Sequence, residues 1–277
     1  MNVLTHTLPI TLQQARKAKR LSQLELSMRL LVSQRHVSFV ESGRAKPSRE
    51  LLMAWLHELD APLVVRNAAM LQAGYAPAYS AAPLGDPMLA QANDALVQLI
   101  TAHDPQPAFV LDAQWNVLRF NSAGRWLAAT LMPWAADVLR AHTTSSPPIN
   151  LLDMLVHPEG FCKTMLNLAE VGPALLAHLR DDASVQPALT PKVEAFAALL
   201  RDRIGGQNPY ATWPSQPVPV LTSRFATVHG ELAFFSMFTT FGTPQDITLA
   251  SLRVEHMFAA DAATLAVLKS CVAGLNV

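Results

Sequence analysis

The stretch LSQLELSMRLLVSQRHVSFVESG, Leu21 to Gly43, constrains the fold of this chain more than any other. Two short helical patterns flank a four-residue hinge. Each begins at a serine, Ser22 or Ser33, placed to accept from the orphan amides of a first helical turn. Glu25 follows Ser22 at the spacing of a capping box. Leu26, Leu30, Val32, Val37 and Val40 supply an apolar interior, and Ser27 is small where the two helices must cross. What remains outside on the second helix is Gln34, Arg35, Ser38 and Phe39, a face with three hydrogen-bonding side chains of different reach and one aromatic ring.

The same punctuation continues on both sides. Ser42-Gly43 stops a third helix, Lys46-Pro47-Ser48 starts a fourth, and Pro62 suits the first turn of a fifth. An all-α, five-helix domain is therefore expected over residues 1–72. AGYAPAYSAAPLGDP, with three prolines and two glycines, reads as a linker over 73–87. Residues 88–277 then form a second domain. It opens with an amphipathic helix over Met88 to Ala102 and two strands, AFVLD and WNVLRF, joined by a tight turn. Asn121-Ser122 caps the next helix, and further helices are expected around 150–156, 160–182 and 190–204. VPVLTSRFATVHG, ELAFFSMFTTFG and DITLASLRVEH are β-branched and aromatic, which predicts an antiparallel meander before a last helix from Asp261 to Val272. The expected second domain is α+β, with an antiparallel sheet of about five strands and helices on one face.

Charge separates the two parts. The chain is formally neutral, yet residues 1–66 hold ten Lys and Arg against five Asp and Glu, so a basic head precedes an acidic body. Such a head suits a polyanion. Cys162 and Cys271 form neither a disulfide framework nor a zinc pattern and fit a reducing cytoplasm. The most apolar run, LAFFSMFTTF, is half the length needed to span a bilayer, so no membrane role is expected. No HExxH, CxxC, GxSxG or Gly-rich phosphate loop occurs, and Asp181-Asp182 reads as a solvated turn; neither catalytic nor metal-ligating residues are expected.

Arg16, LSQxEL, VSQ and ESGRAKPS together resemble the phage-repressor-like (Cro/C1-type, XRE-like) helix-turn-helix family over roughly residues 10–73. The resemblance implies a reader of double-stranded DNA. Gln23 and Ser33 would contact phosphates, Arg44 and Lys46 would follow the backbone, and Gln34, Arg35, Ser38 and Phe39 would face the bases. Arg16 and Glu41 stand where the family has a helix-bridging ion pair. Leu31 stands where it usually has glycine, and Leu24 and Met28 lie on a helix side that is usually charged. The chemistry agrees: Gln pairs bidentately with adenine, Arg with guanine, and a Phe ring matches only the thymine methyl.

LLQAGYAP, PAFVLDAQWNVLRFN and NLLDMLVHPEG are similar to the MmyB-like ligand-binding domain, with Trp115, Val117 and Asn121 as the most specific part. That resemblance implies a PAS-like body with an apolar cavity for a fatty-acid-type effector and no resident cofactor. Phe120, Trp126, Leu155, Phe161, Met165, Phe225, Phe235 and Met237 are the candidate lining; packed together they would instead be plain core. A carboxylate ligand would need an anchor, for which Arg125, Arg224 and His142 are candidates. The resulting expectation is a cytoplasmic bacterial repressor that binds a pseudo-palindromic operator as a homodimer and senses a small apolar molecule. Two alternatives stand beside it: a helix-turn-helix serving as a protein-interaction module, and a body that only dimerises around a filled core.

Overall fold

Residues 7–141, 148–205 and 220–272 are described by the structure, a computed structural model. The chain divides into two units. One holds residues up to Pro83 together with Thr243–Ala250; the other holds Leu84–Gly242 and Ser251 onward.

The first unit is built from α1 (Leu8–Ala18), α2 (Gln23–Arg29), α3 (Gln34–Glu41), α4 (Arg49–Glu58) and α5 (Leu63–Gln72). Serine side chains cap three of them: Ser22 accepts from Glu25 N–H, Ser33 from His36 N–H and Ser48 from Leu51 N–H. The Glu25 carboxylate returns to Ser22 N–H at 2.7 Å and completes the capping box. Each helix ends in the same way, on a left-handed residue: Arg20, Leu31, Gly43, Asp60 and Gly74. The next amide then reaches back to the carbonyl five residues earlier, as in Val32 N–H to Ser27 O (3.0 Å) and Arg44 N–H to Phe39 O (2.8 Å). These are Schellman terminations, and only two of the five use glycine. Leu26, Val37, Leu52, Trp55, Leu56 and Met70 form the core they enclose.

The segment after α5 is held rather than free. The Asn67 side chain accepts from Ala78 and Tyr79 N–H and donates to Tyr79 O, while Tyr75 OH donates to Pro47 O. Farther along, the Ser80 hydroxyl and Ala82 N–H donate to the Asp246 carboxylate, and Ile247 N–H donates to Ser80 O. Burial raises the Asp246 pKa, but these donors and the amides of Thr248 and Leu249 outweigh it and hold the carboxyl below its usual value.

The second unit runs α6 (Ala90–His103), β1 (Ala108–Leu111), β2 (Asn116–Phe120), α7 (Ser122–Leu131), α8 (Ala136–Ala141), β3 (Ile149–Asn150), α9 (Leu151–Val156), α10 (Phe161–Thr164), α11 (Leu168–Val185) and α12 (Thr190–Arg203). It closes with β4 (Ser223–Thr227), β5 (Gly230–Thr240), α13 (Ile247–Ser251), β6 (Arg253–Ala259) and α14 (Ala262–Val272), of which most of α13 belongs to the first unit. The sheet is antiparallel in the order β3-β2-β1-β6-β5-β4.

Three expectations change. The sheet has six strands, because the two-residue β3 pairs with Asn116 and Val117 and is too short to leave a pattern. The run DITLASLRVEH is a strand only from Arg253; its first half is α13, started by the Asp246 carboxylate on Thr248 and Leu249 N–H. The helix expected over 160–182 is broken between α10 and α11, where Leu166 N–H donates to Arg224 O and Met165 bridges Phe225 on β4. Among the described residues no helix is long and apolar enough to cross a membrane.

Candidate functional site

The outward face of α3 is held from behind by a buried ion pair. Arg16 Nε donates to Glu41 Oε1 at 2.7 Å and its terminal nitrogen to Oε2 at 2.8 Å, with 9% and 1% of the two side chains exposed. This bolts α1 to the end of α3. Gln23 donates to the same Glu41 Oε2 at 2.9 Å, so α2 is locked to α3 as well. Gln23 therefore carries an intramolecular bond that its sequence position alone does not reveal.

Val37 and Val40 face the core, which turns Gln34, Arg35, Ser38 and Phe39 outward. Gln34 and Arg35 are exposed, whereas Ser38 and Phe39 are half-buried. The Phe39 ring lies outside the core, between two guanidinium groups, Arg35 at 5.1 Å and Arg44 at 5.7 Å. The Schellman turn at Gly43 brings Arg44 back to that ring. Ser33 spends its hydroxyl on the α3 cap, and exposed Lys46 stands over the Tyr75 ring at 4.7 Å. Leu24, Met28 and Leu31 are exposed on or just after α2, and Leu31 adopts the left-handed conformation (φ 54°) that the missing glycine predicted.

The body contains a cavity of about 640 Å³, within the size range of small-molecule sites. It lies where two separate apolar clusters meet, one containing Phe109 and Leu155, the other Leu127 and Phe225. Leu155, Phe161, Met165, Phe225, Phe235 and Met237 all line it. Phe120 and Trp126 do not, which corrects the expected lining. Phe120 packs against the edge of one cluster beneath the Arg125 guanidinium, 4.5 Å away. Trp126 is one helical step from Leu127 on α7, so it points to His229 while Leu127 faces the cavity.

The helix expected over 160–182 was not expected to line the cavity, yet Val171, Ala174, Leu175 and His178 of α11 do so from one helix face. Their spacing of three, one and three residues is a helical stripe and was legible as such. The sequence reading also missed Asp182. Instead of marking a solvated turn, this carboxylate sits in the last turns of α11, accepts Trp115 Nε1–H at 2.8 Å and pairs with Arg253 at 2.8 Å.

The polar wall is an acid. Glu255 on β6 lines the cavity and accepts the Ser236 hydroxyl on Oε1 at 2.7 Å. Burial pushes its carboxyl above the ordinary value, against the opposing pull of Ser236 and Arg253. Two of the three candidate carboxylate anchors, Arg224 and Arg125, lie elsewhere. Arg224 is paired with Glu231 on the exposed strand pair β4–β5, Arg125 donates to Leu139 O, and neither lines the cavity; His142 lies outside the described residues. Burial pushes the Cys162 thiol to about 11, far from nucleophilic. Among the described residues no group of three His, Cys, Asp or Glu could hold a metal ion.

Residues 92–270, which carry the cavity and the whole sheet, match the family described as the MmyB-like transcription regulator ligand binding domain. The chain belongs to that family. Residues 12–65 match the helix-turn-helix family, so this MmyB-like protein is a DNA-binding transcription regulator with a ligand-binding domain. Both families are regulatory. No curated protein matches the chain.

The signature residues of this MmyB-like body hold the fold. Trp115 takes a left-handed turn conformation (φ 63°) and ties β2 to α11 through Asp182. Val117 is buried in the sheet. Asn121 accepts from Ala108 and Gly124 N–H and donates to Ile100 and Gln106 O, joining α6, β1 and α7 through one side chain.

Proposed function

We propose that this regulator is a bacterial, cytoplasmic repressor of two functional parts, a DNA-binding head over residues 1–72 and an effector-binding, dimerising body over 88–277. Two heads in a homodimer would read a pseudo-palindromic operator with half-sites one helical turn apart. Gln34 and Arg35 would hydrogen-bond base edges with Ser38 beside them, and Phe39 would meet a thymine methyl. Gln23, Ser33, Arg44 and Lys46 would serve the phosphates. The effector is a small apolar molecule of single-chain size, for which a fatty acid is the simplest type.

One observation carries the reading: a chain with a helix-turn-helix head also has a largely apolar cavity of about 640 Å³ in its body. That cavity tells against a body that only dimerises around a filled core. An effector changes operator affinity only if it prefers one arrangement of the heads, and that coupling passes through residues 73–87. Electrophoretic shift on the protein's own promoter fragment tests the head. Wild type should bind with an affinity that falls about 0.9 log unit per neutralised phosphate per decade of salt. Arg35→Ala should lose roughly 1–3 kcal/mol of sequence discrimination. Equal binding by wild type and variant sinks the assignment. Exposed Leu24, Met28 and Leu31 favour a second reading, the head as a protein-interaction module, and salt-insensitive binding to a protein partner would support it instead.

A further inference from the structure

The cations of the head are held in two different ways. Arg16 and Lys19 pair with carboxylates, those of Glu41 and Asp60. Arg35, Arg44 and Lys46, the cations read as meeting DNA, lie over rings instead: Arg35 and Arg44 over Phe39 at 5.1 Å and 5.7 Å, Lys46 over Tyr75 at 4.7 Å. All three are exposed, and among the described residues none is in an ion pair. The chemistry of the two supports differs. A carboxylate neutralises a guanidinium and occupies its N–H donors, and DNA needs both the charge and the donors. A ring takes only the face of the guanidinium plane, leaves the donors at its edge free and keeps the charge. Phe39 is where two of these cations meet. It stands four residues after Arg35 on α3, so the two side chains are neighbours on one face. Its carbonyl accepts from Arg44 N–H at 2.8 Å and from Ala45 N–H at 3.1 Å, which fixes the chain where Arg44 departs. The ring is half-buried and lies outside the core, so core packing does not account for its place.

We infer that Phe39 is a positioning residue: its ring holds the Arg35 guanidinium for a guanine edge and the Arg44 guanidinium for a phosphate. This rests on the reading of α3 as the helix that enters the major groove, and it gives Phe39 a role beyond contact with a methyl group. Fixing a free arginine on DNA costs rotamer entropy, and a ring that already restricts the side chain removes part of that cost from binding. The rest of the ring still meets a thymine methyl, so Arg35 and Phe39 read a guanine and a neighbouring thymine as one linked pair.

The test starts with selection from a pool of random DNA duplexes by the purified full-length protein. Titration then compares the selected duplex with one in which a single guanine pair is exchanged for an adenine pair. Wild type should select a half-site with a guanine whose preference over adenine disappears in Arg35→Ala. Phe39→Leu keeps an apolar side chain for the methyl but has no ring. It should lower that guanine preference about threefold or more, the scale of an exposed cation–π contact. Phe39→Tyr keeps the ring and should retain the preference. In the Arg35→Ala background Phe39→Leu should change the ratio no further, whereas a loss of folding would weaken both duplexes alike and leave the ratio intact. A guanine preference undiminished in Phe39→Leu overturns the proposal while the base-reading role of Arg35 stands, and so does a preference lost equally in Phe39→Tyr. A selected guanine that Arg35→Ala does not affect removes the reader and the positioning role together. If wild type selects no sequence, the reading of the head as a DNA reader fails as well.

Discussion

Glu41 accepts three hydrogen bonds on two oxygens, two from Arg16 and one from Gln23, almost wholly out of water. Removing one charge from such a pair strands the other. Glu41→Gln should therefore destabilise the head by about 3 kcal/mol or more, whereas replacing both partners by apolar residues should recover much of that loss. Urea denaturation of the single and double variants decides; a loss below about 1 kcal/mol for the single variant contradicts it. Glu255 has the opposite sign. Its folded-state pKa lies above the unfolded one, so in that interval the folded state binds the proton more strongly. Stability falls as pH rises from about 4, where an unfolded Glu ionises, through the folded value, and the loss persists above it. Glu255→Gln does not ionise and keeps the oxygen that accepts from Ser236. It should melt higher than wild type near neutral pH and equally in acid; a variant less stable at neutral pH would refute the account.

At the scale of elements, helix starts were written plainly and helix ends were not. Ser22, Ser33 and Ser48 announce themselves because a capping hydroxyl is a local requirement. Arg20, Leu31 and Asp60 end helices in a left-handed conformation that glycine would hold more cheaply, so a search for glycine finds only Gly43 and Gly74. Leu31 is 92% exposed, so its side chain gives no packing in return. Leu31→Gly relieves about 1–2 kcal/mol of left-handed strain. Glycine's greater unfolded freedom offsets roughly 0.5–1 kcal/mol of this. A net gain of about 0.5 kcal/mol should appear as a higher urea midpoint, and a lower midpoint would show that Leu31 packs. The break between α10 and α11 was invisible for a different reason. Leu166 N–H leaves the helix for Arg224 O, a partner far along the chain, and a helical pattern runs across the break undisturbed.

For the whole molecule, the proposed regulation requires the cavity and the junction segment to act together. Ala174→Phe should leave operator affinity unchanged without effector and abolish the effector's influence on it. A response that persists would place the effector elsewhere. Asp246 is the second point. It binds the chain at Ser80 and Ala82, yet the loop it occupies leaves β5 and returns into β6, two strands whose residues line the cavity. Asp246→Ala should keep both effector and operator binding while weakening the effector's influence on operator affinity, measured by repeating the shift assay with and without ligand. An undiminished influence would remove that loop from the coupling.

The sequence by itself determined the five-helix head and its outward face, because caps, apolar spacing and helix geometry are properties of neighbouring residues; the ion pair behind that face came only from the family resemblance, its partners lying 25 residues apart. It also specified that large apolar side chains would crowd one sheet, and six of those named line the cavity. Only the tertiary structure decided that those side chains leave a space, since a gap between two clusters depends on how strands and helices from distant segments meet. The same holds for the sixth strand, for Asp182 under Trp115 and for the acid on the cavity wall. A lone Glu in LRVEH has no local signal of burial; its environment comes from Ser236 and Phe238 on another strand and from His178 on a helix more than seventy residues away in sequence.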